Sequence, residues 1–373
     1  MRSRRPSARR QQGFTLIELM IGALIGLLAT LAVTYVLVNS EGQKRTTTGG
    51  SDAQVNGALA LNTLQRQVQV AGYGFGTIPA VVGCALTARF NGAAITDFPP
   101  GLEPVRIEEG ASGAPDSIRV LASGKTSFSV PLRVVAPGYT PPNTSVPVGS
   151  VRGIVRGDLV VLAASINAPP SKACEMFQVT DNPGSTPQVA RADNAWNSAG
   201  APTAYGDGAG LFNLGAPLDV TYSIQNNALV ARTLNIADDA SSTPSYPPAT
   251  ELFPNIVQLQ ALYGKDTDGD GAIDTWNAVT PTGVGAAALN AAWLQVRAVR
   301  IALVARSAQF EKEEVTSENL SWIVGNAGTV TGSATCGTSR CLTIKLDTLP
   351  DWKHYRYKLF ETTVPLRNLL WNS

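Results

Sequence analysis

The sequence predicts an α+β protein, with a long N-terminal helix packed on antiparallel β-sheet and long loops inserted between the strands. Three observations lead there. An apolar run from Phe14 to Val38 passes into a second stretch whose apolar residues recur at helical spacing. Beyond Gly76 the pattern shortens to brief segments rich in β-branched residues. With 35 glycines and 24 prolines in 373 residues, most of what remains must be turns and loops. One helix followed by many strands is the α+β pattern. At 44% hydrophobic residues the chain can bury one large domain, with or without insertions.

The first element is the apolar run itself. It is long enough to cross a bilayer, which takes ~20 residues, and Arg2, Arg4, Arg5, Arg9 and Arg10 precede it. Positive charge of this kind holds an amino end in the cytoplasm. A secretory signal would place its cleavage site after the apolar part, whereas here the candidate cut, between Gly13 and Phe14, lies before it. An ordinary signal anchor accounts for the arginines and the span. It leaves Glu18 unexplained, the run's single charge, because an unpaired carboxylate in hydrocarbon costs several kcal/mol. A new amino terminus at Phe14 would supply the missing cation. The organisation expected is a basic leader at 1–13, a membrane and assembly helix at 14–40, an amphipathic continuation at 41–76 and a β-rich extracytoplasmic domain at 77–373.

The helix is expected to be interrupted near Gly42 and Gly49-Gly50 and to resume at about Ser51. There Ala58, Leu61, Leu64, Val68 and Ala71 give one apolar face, the ordinary sign of a helix packed on its own domain. Gly72, Gly74 and Gly76 end it. Strands are expected at 117–122, 158–163, 177–180, 220–224 and 228–233, the last two flanking a Gln225-Asn226-Asn227 hairpin, and at 256–263, 294–306, 341–346 and 355–364. In the last, Tyr355, Tyr357 and Leu359 point to one face. The stretches 137–150, 181–210 and 237–250 read as loops.

Composition and motifs exclude several functions. Net charge is +1, but removing the five leader arginines leaves 24 basic against 28 acidic residues. No basic patch with interleaved aromatics suggests nucleic acid as the main ligand. No G-x-S-x-G elbow, phosphate-binding glycine loop or H-E-x-x-H occurs, and Glu108-Glu109 and Glu313-Glu314 read as solvated charge. The sole histidine, His354, reads as structural. We therefore expect no enzyme. Cys84, Cys174, Cys336 and Cys341 lack paired C-x-x-C spacing, so disulfides in an exported domain are favoured over zinc. Cys336 with Cys341 and Cys84 with Cys174 is the preferred pairing of three possible.

One motif points to a metal. Asp266, Asp268 and Asp270 occupy positions one, three and five of a calcium-type loop, and Gly271 stands at six. Ala272 would offer its carbonyl at seven and Asp274 its carboxylate at nine. Position twelve is Asn277 instead of glutamate, and strands flank the loop where an EF-hand has helices. The expected cofactor is therefore a structural calcium held weakly, at ~10⁻⁴–10⁻³ M; the alternative is a solvated acidic turn.

The segment GFTLIELMIGALIGLLA resembles the type III signal of type IV pilins and pseudopilins. The resemblance implies cleavage after Gly13 by a prepilin peptidase and methylation of Phe14. It also implies pairing of Glu18 with the terminal amine of a neighbouring subunit. LQRQVQVAGYGF from Leu64, Leu262-Tyr263-Gly264 before the acidic loop, Trp276 after it, Val296 to Ser307 and WKHYRYKLFETTVPLRN are similar to the PilW family of minor pilins. That implies a pilin-like fold and a subunit of the tip complex that primes pilus assembly. Its partners would be minor and major pilins, the peptidase and the inner membrane, in which it sits by a single pass before joining the fibre. A type II secretion pseudopilin of GspJ type and a calcium-dependent tip adhesin are the alternatives.

Overall fold

The computed structural model describes residues 13–95, 97–126, 130–197, 203–236 and 244–370. The leader arginines, and parts of the loops expected at 181–210 and 237–250, lie outside the described residues. The chain divides into two compact units, Met1–Ser51 and Asp52–Ser373. Helix α1, Leu16–Val70, contributes to both.

In the first unit, every residue from Gly13 to Val38 is exposed, and Leu16–Val38 is a 23-residue apolar segment of membrane-spanning length. The backbone remains helical through Gly42, Gly49 and Gly50, so the expected interruption does not occur. Isolated glycines cost a helix about 1 kcal/mol each relative to alanine but leave its hydrogen bonds intact.

In the second unit, α1 turns Ala53, Gly57, Ala60, Leu64 and Val68 inward. The expected stripe included Ala58, which is exposed. Gly57 and Ala60 take its place because the Phe360 ring lies against the helix at Gly57. A Cβ there would sit 2.2 Å from the ring. Leu64 and Val68 are fully buried, each contributing about 1.5–3 kcal/mol; Leu64→Ala would cost about 2–5 kcal/mol. The helix ends where Gly72 and Gly74 adopt φ of +76° and +91°. Its last carbonyls are capped from far along the chain, as Asn368 Nδ2 donates to Ala71 O at 2.9 Å.

That helical face packs against two five-stranded sheets. One is fully antiparallel, in the order Thr250–Pro254, Ala228–Thr233, Leu218–Gln225, Ser117–Ala122, Val105–Glu108. Its hairpin closes in two residues, Asn226 and Asn227, both at positive φ, since Gln225 pairs with Ala228 inside the ladder. The other runs Thr329–Val330, Thr275–Asn277, Ile256–Lys265, Val296–Arg306, Tyr357–Pro365. Its far face is covered by a three-stranded sheet around Trp322 and Ile344. Helix α2, Ala286–Leu294, was not expected; its alanine-rich run favours helix and buries Trp293, so the following strand starts at Val296 and not at Leu294.

Between Ala122 and Leu218 the chain builds most of a third sheet, in the order Leu86–Thr87, Cys174–Gln178, Leu159–Ala163, Gly210–Gly215, Leu132–Arg133. Both faces are covered, which is why Leu159–Ala163 reads as a continuous apolar run. The stretches expected as loops at 137–150 and 181–210 contain the paired strands Ser145–Pro147 and Gln188–Ala190, which bury Val146 and Val189, with Val148 buried just after the first.

Candidate assembly and cation-binding sites

At the start of α1, Gly13 and Phe14 lie exposed ahead of the first helical turn. Thr15 and Glu18 form a reciprocal cap. The Thr15 N–H and hydroxyl donate to the Glu18 carboxylate at 3.0 and 2.9 Å, and the Glu18 N–H donates to Thr15 Oγ1 at 3.4 Å. This is a capping box, and T-x-x-E at Thr15-Leu-Ile-Glu18 is its sequence signature. The acid thus has a local role within one chain, a role the reading of the sequence overlooked. The carboxylate remains exposed, open to a cation from outside the chain.

The acidic loop joins Ile256–Lys265 to Thr275–Asn277 and is closed by Asp274 N–H donating to Lys265 O at 2.9 Å. Asp266, Asp268 and Asp274 each bring one carboxylate oxygen to within 4.8 Å of the others. Asp270 does not join that group; its carboxylate accepts from Ala272 N–H at 2.7 Å. Asp274 accepts from the N–H and hydroxyl of Thr267 at 2.6 and 2.9 Å. Gly269 and Gly271 take φ of +82° and +90°, which only glycine adopts without strain. Asn277, at position twelve, is turned to Lys265 Nζ at 3.0 Å and supplies nothing to the cluster.

Asp266 differs from its neighbours. It is buried, accepts from Gly269 and Gly271 N–H at 2.7 and 3.1 Å, and pairs with Arg297 Nη2 at 3.0 Å and Nε at 3.2 Å. Burial works to raise its pKa, but the two N–H groups and the guanidinium prevail and hold it below the usual carboxylate range. Arg297 is absent from any sequence motif; only strand register brings it to the loop. Three of the four expected carboxylates therefore suit a hard, oxygen-seeking cation, and one of the three already has a positive partner.

The remaining sequence candidates are structural. Cys84 is bonded to Cys174 and Cys336 to Cys341. The first bridge lies in the core beside the third sheet, and the second closes a hairpin between Ala334–Cys336 and Ser339–Ile344. His354 stacks on Phe310 at 4.6 Å, with Nδ1 2.9 Å from the Glu311 carbonyl.

Two family models match the chain. Residues 8–34 match the prokaryotic N-terminal methylation motif, and residues 221–368 match type IV pilus-assembly protein W. The second match takes in the acidic loop and the C-terminal strands; Leu64 to Phe75 lies outside both. A type IV-like pilin from Thermus thermophilus is a structural neighbour, 9% identical, covering 85% of this chain and 96% of its own, at a TM-score of 0.33. No curated protein matches. The processing motif on an exposed apolar helix, followed by mostly antiparallel sheet, defines a type IV pilin-like protein. Within that class, residues 221–368 are similar to type IV pilus-assembly protein W, the PilW family of minor pilins.

Proposed function

We propose that the protein enters the inner membrane as a prepilin, is cut after Gly13 by prepilin peptidase and methylated at Phe14, and joins a tip complex that primes pilus assembly. The observation that carries this reading is a span with no burial of its own from Leu16 to Val38, with a solvent-facing Glu18 in its first turn. In the membrane and then in the fibre, neighbouring helices would cover the apolar surface. The new amine of an adjoining subunit would neutralise the acid, which is strongly favourable at low dielectric. The β-rich unit, which folds around its own core, would then be the exposed head. Attachment and twitching would follow from assembled fibres.

The test is a deletion strain scored for surface pili. Their loss, restored by the native gene, is expected. Normal piliation with lost attachment would favour a tip adhesin, and intact pili with failed protein export would favour a type II secretion pseudopilin.

We further propose that calcium ties down the acidic loop, held by Asp266, Asp268 and Asp274, with the Ala272 carbonyl and Asp270 recruited on binding. Carboxylates this close repel without a cation, and calcium's flexible all-oxygen coordination suits them. Asp268→Ala should abolish any calcium-dependent rise in the melting temperature of the full chain in detergent. Identical melting of native protein in calcium and in chelator would remove the metal.

A further inference from the structure

Among the described residues, Asp266 is the one acid of the loop with a cationic partner. Its carboxylate is fully buried, and Arg297, with a side chain 20% exposed, donates to it through two nitrogens. No ion pair reaches Asp268, Asp270 or Asp274 among the described residues; their oxygens accept only N–H and hydroxyl groups of the loop. Arg297 itself is placed by the sheet. It belongs to Val296–Arg306, and its carbonyl accepts the Leu366 N–H at 2.9 Å. The guanidinium is thus delivered to the loop's first acid by a rigid strand, whatever else the loop binds.

We infer that Arg297 is the loop's built-in cation: it lets the loop close without a metal, and by occupying Asp266 it keeps calcium affinity low. The second half rests on the calcium reading proposed above. Two consequences of opposite sign follow from one side chain. Removing the guanidinium leaves a buried carboxylate without a counter-charge, which destabilises the metal-free protein. The same change removes a positive charge beside the remaining acids, which must otherwise repel an incoming divalent cation. A residue serving only as packing would give the first effect without the second.

The experiment compares native protein, Arg297→Gln and Arg297→Lys, each as the full chain in detergent. Melting is followed with calcium chloride or chelator, and calcium binding is measured by titration calorimetry. Native protein should melt slightly but measurably higher in calcium than in chelator. Arg297→Gln should melt markedly lower in chelator, recover in calcium and bind calcium at least about tenfold more tightly, as expected when a like charge a few ångströms away is removed. Arg297→Lys, a point charge without the planar fork, should fall between. Should Arg297→Gln fail to fold in chelator yet fold in calcium, the inference stands in its strongest form.

Calcium binding by native protein with no tightening in Arg297→Gln overturns the inference and leaves calcium in place. No binding by any of the three removes calcium and the second half of this inference together, and leaves the first half to the melting in chelator. Unchanged melting of Arg297→Gln in chelator overturns the claim that the guanidinium closes the loop.

Discussion

The two units treat apolar residues in opposite ways. From Leu16 to Val38 the side chains are apolar on nearly all sides of the helix and all exposed, whereas residues 52–70 of the same helix bury one row, and their exposed positions mix Asp52, Gln54, Asn62 and Arg66 with Val55, Leu59 and Val70. A helix apolar all round has no preferred side, so its burial must come from lipid or from several other helices. A helix with one apolar row is completed by its own domain. The first unit is therefore specified for partners and the second for itself. The single acid at each site follows the same division: Glu18 faces outward, and Asp266 is already paired inside.

The largest expected effect tests whether Glu18 acts for its own helix or for a neighbour. Glu18→Ala removes both the cap and the charge. Glu18→Gln keeps a side chain that still completes a capping box and removes only the charge. If the acid serves a partner's amine, both variants should be processed at Gly13 and both should be missing from sheared fibres. Helix content of the purified Glu18→Gln chain should equal the native value. Fibres containing Glu18→Gln at native levels would reduce Glu18 to a helix cap.

The second test concerns the self-contained unit and its own charge. Asp116 is buried where Ser117–Ala122 meets Ile256–Lys265, accepting Gly110 and Ala261 N–H at 2.8 Å each. Burial raises its pKa to about 6 against the opposing pull of those N–H groups, with Glu109 adding to the rise. A carboxyl raised in the folded state favours folding most when protonated. Its contribution is complete below about pH 4, the unfolded value, and is lost as pH climbs through 6. A rise of about two units corresponds to a loss on the order of 3 kcal/mol at most. Native protein should therefore lose stability relative to Asp116→Asn between pH 4 and 7 in denaturant titrations. A gap that stays constant or moves the other way would show that the two N–H groups outweigh burial.

Much of this division was legible in the sequence. Gly13, Phe14 and Glu18 are read from local spacing, and so is the acidic loop, because both depend on residues close together in the chain. The strand Ile256–Lys265 and its partner Val296–Arg306 show as β-branched runs because sheet covers them. What escaped depends on distant chain. Arg297 is 31 residues from Asp266 and carries no motif. The pairing of Ser145–Pro147 with Gln188–Ala190 bridges two stretches rich in turn residues. Helix α2 was hidden by an alanine run with no amphipathic row. Gly57 was passed over because apolar periodicity counts side chains, while this position matters for lacking one.

That last residue gives the smallest and most direct contrast between the units. At Gly57 an added Cβ would meet three atoms of the Phe360 ring at 2.2 to 2.8 Å, while at Gly26 nothing lies within 4 Å. Alanine is the better helix former by about 1 kcal/mol at either position. At Gly57 the ring must move or the helix must lift, and overpacking of this kind costs about 1–3 kcal/mol. Gly57→Ala should thus lower the unfolding free energy of the full chain in detergent, while Gly26→Ala should leave it unchanged and raise helicity slightly. Phe360→Leu, which withdraws the ring, should recover most of the loss in the Gly57→Ala background. Equal effects at the two glycines would mean that the second unit does not press its strand against the helix at Gly57, and its self-sufficiency would lose its closest contact.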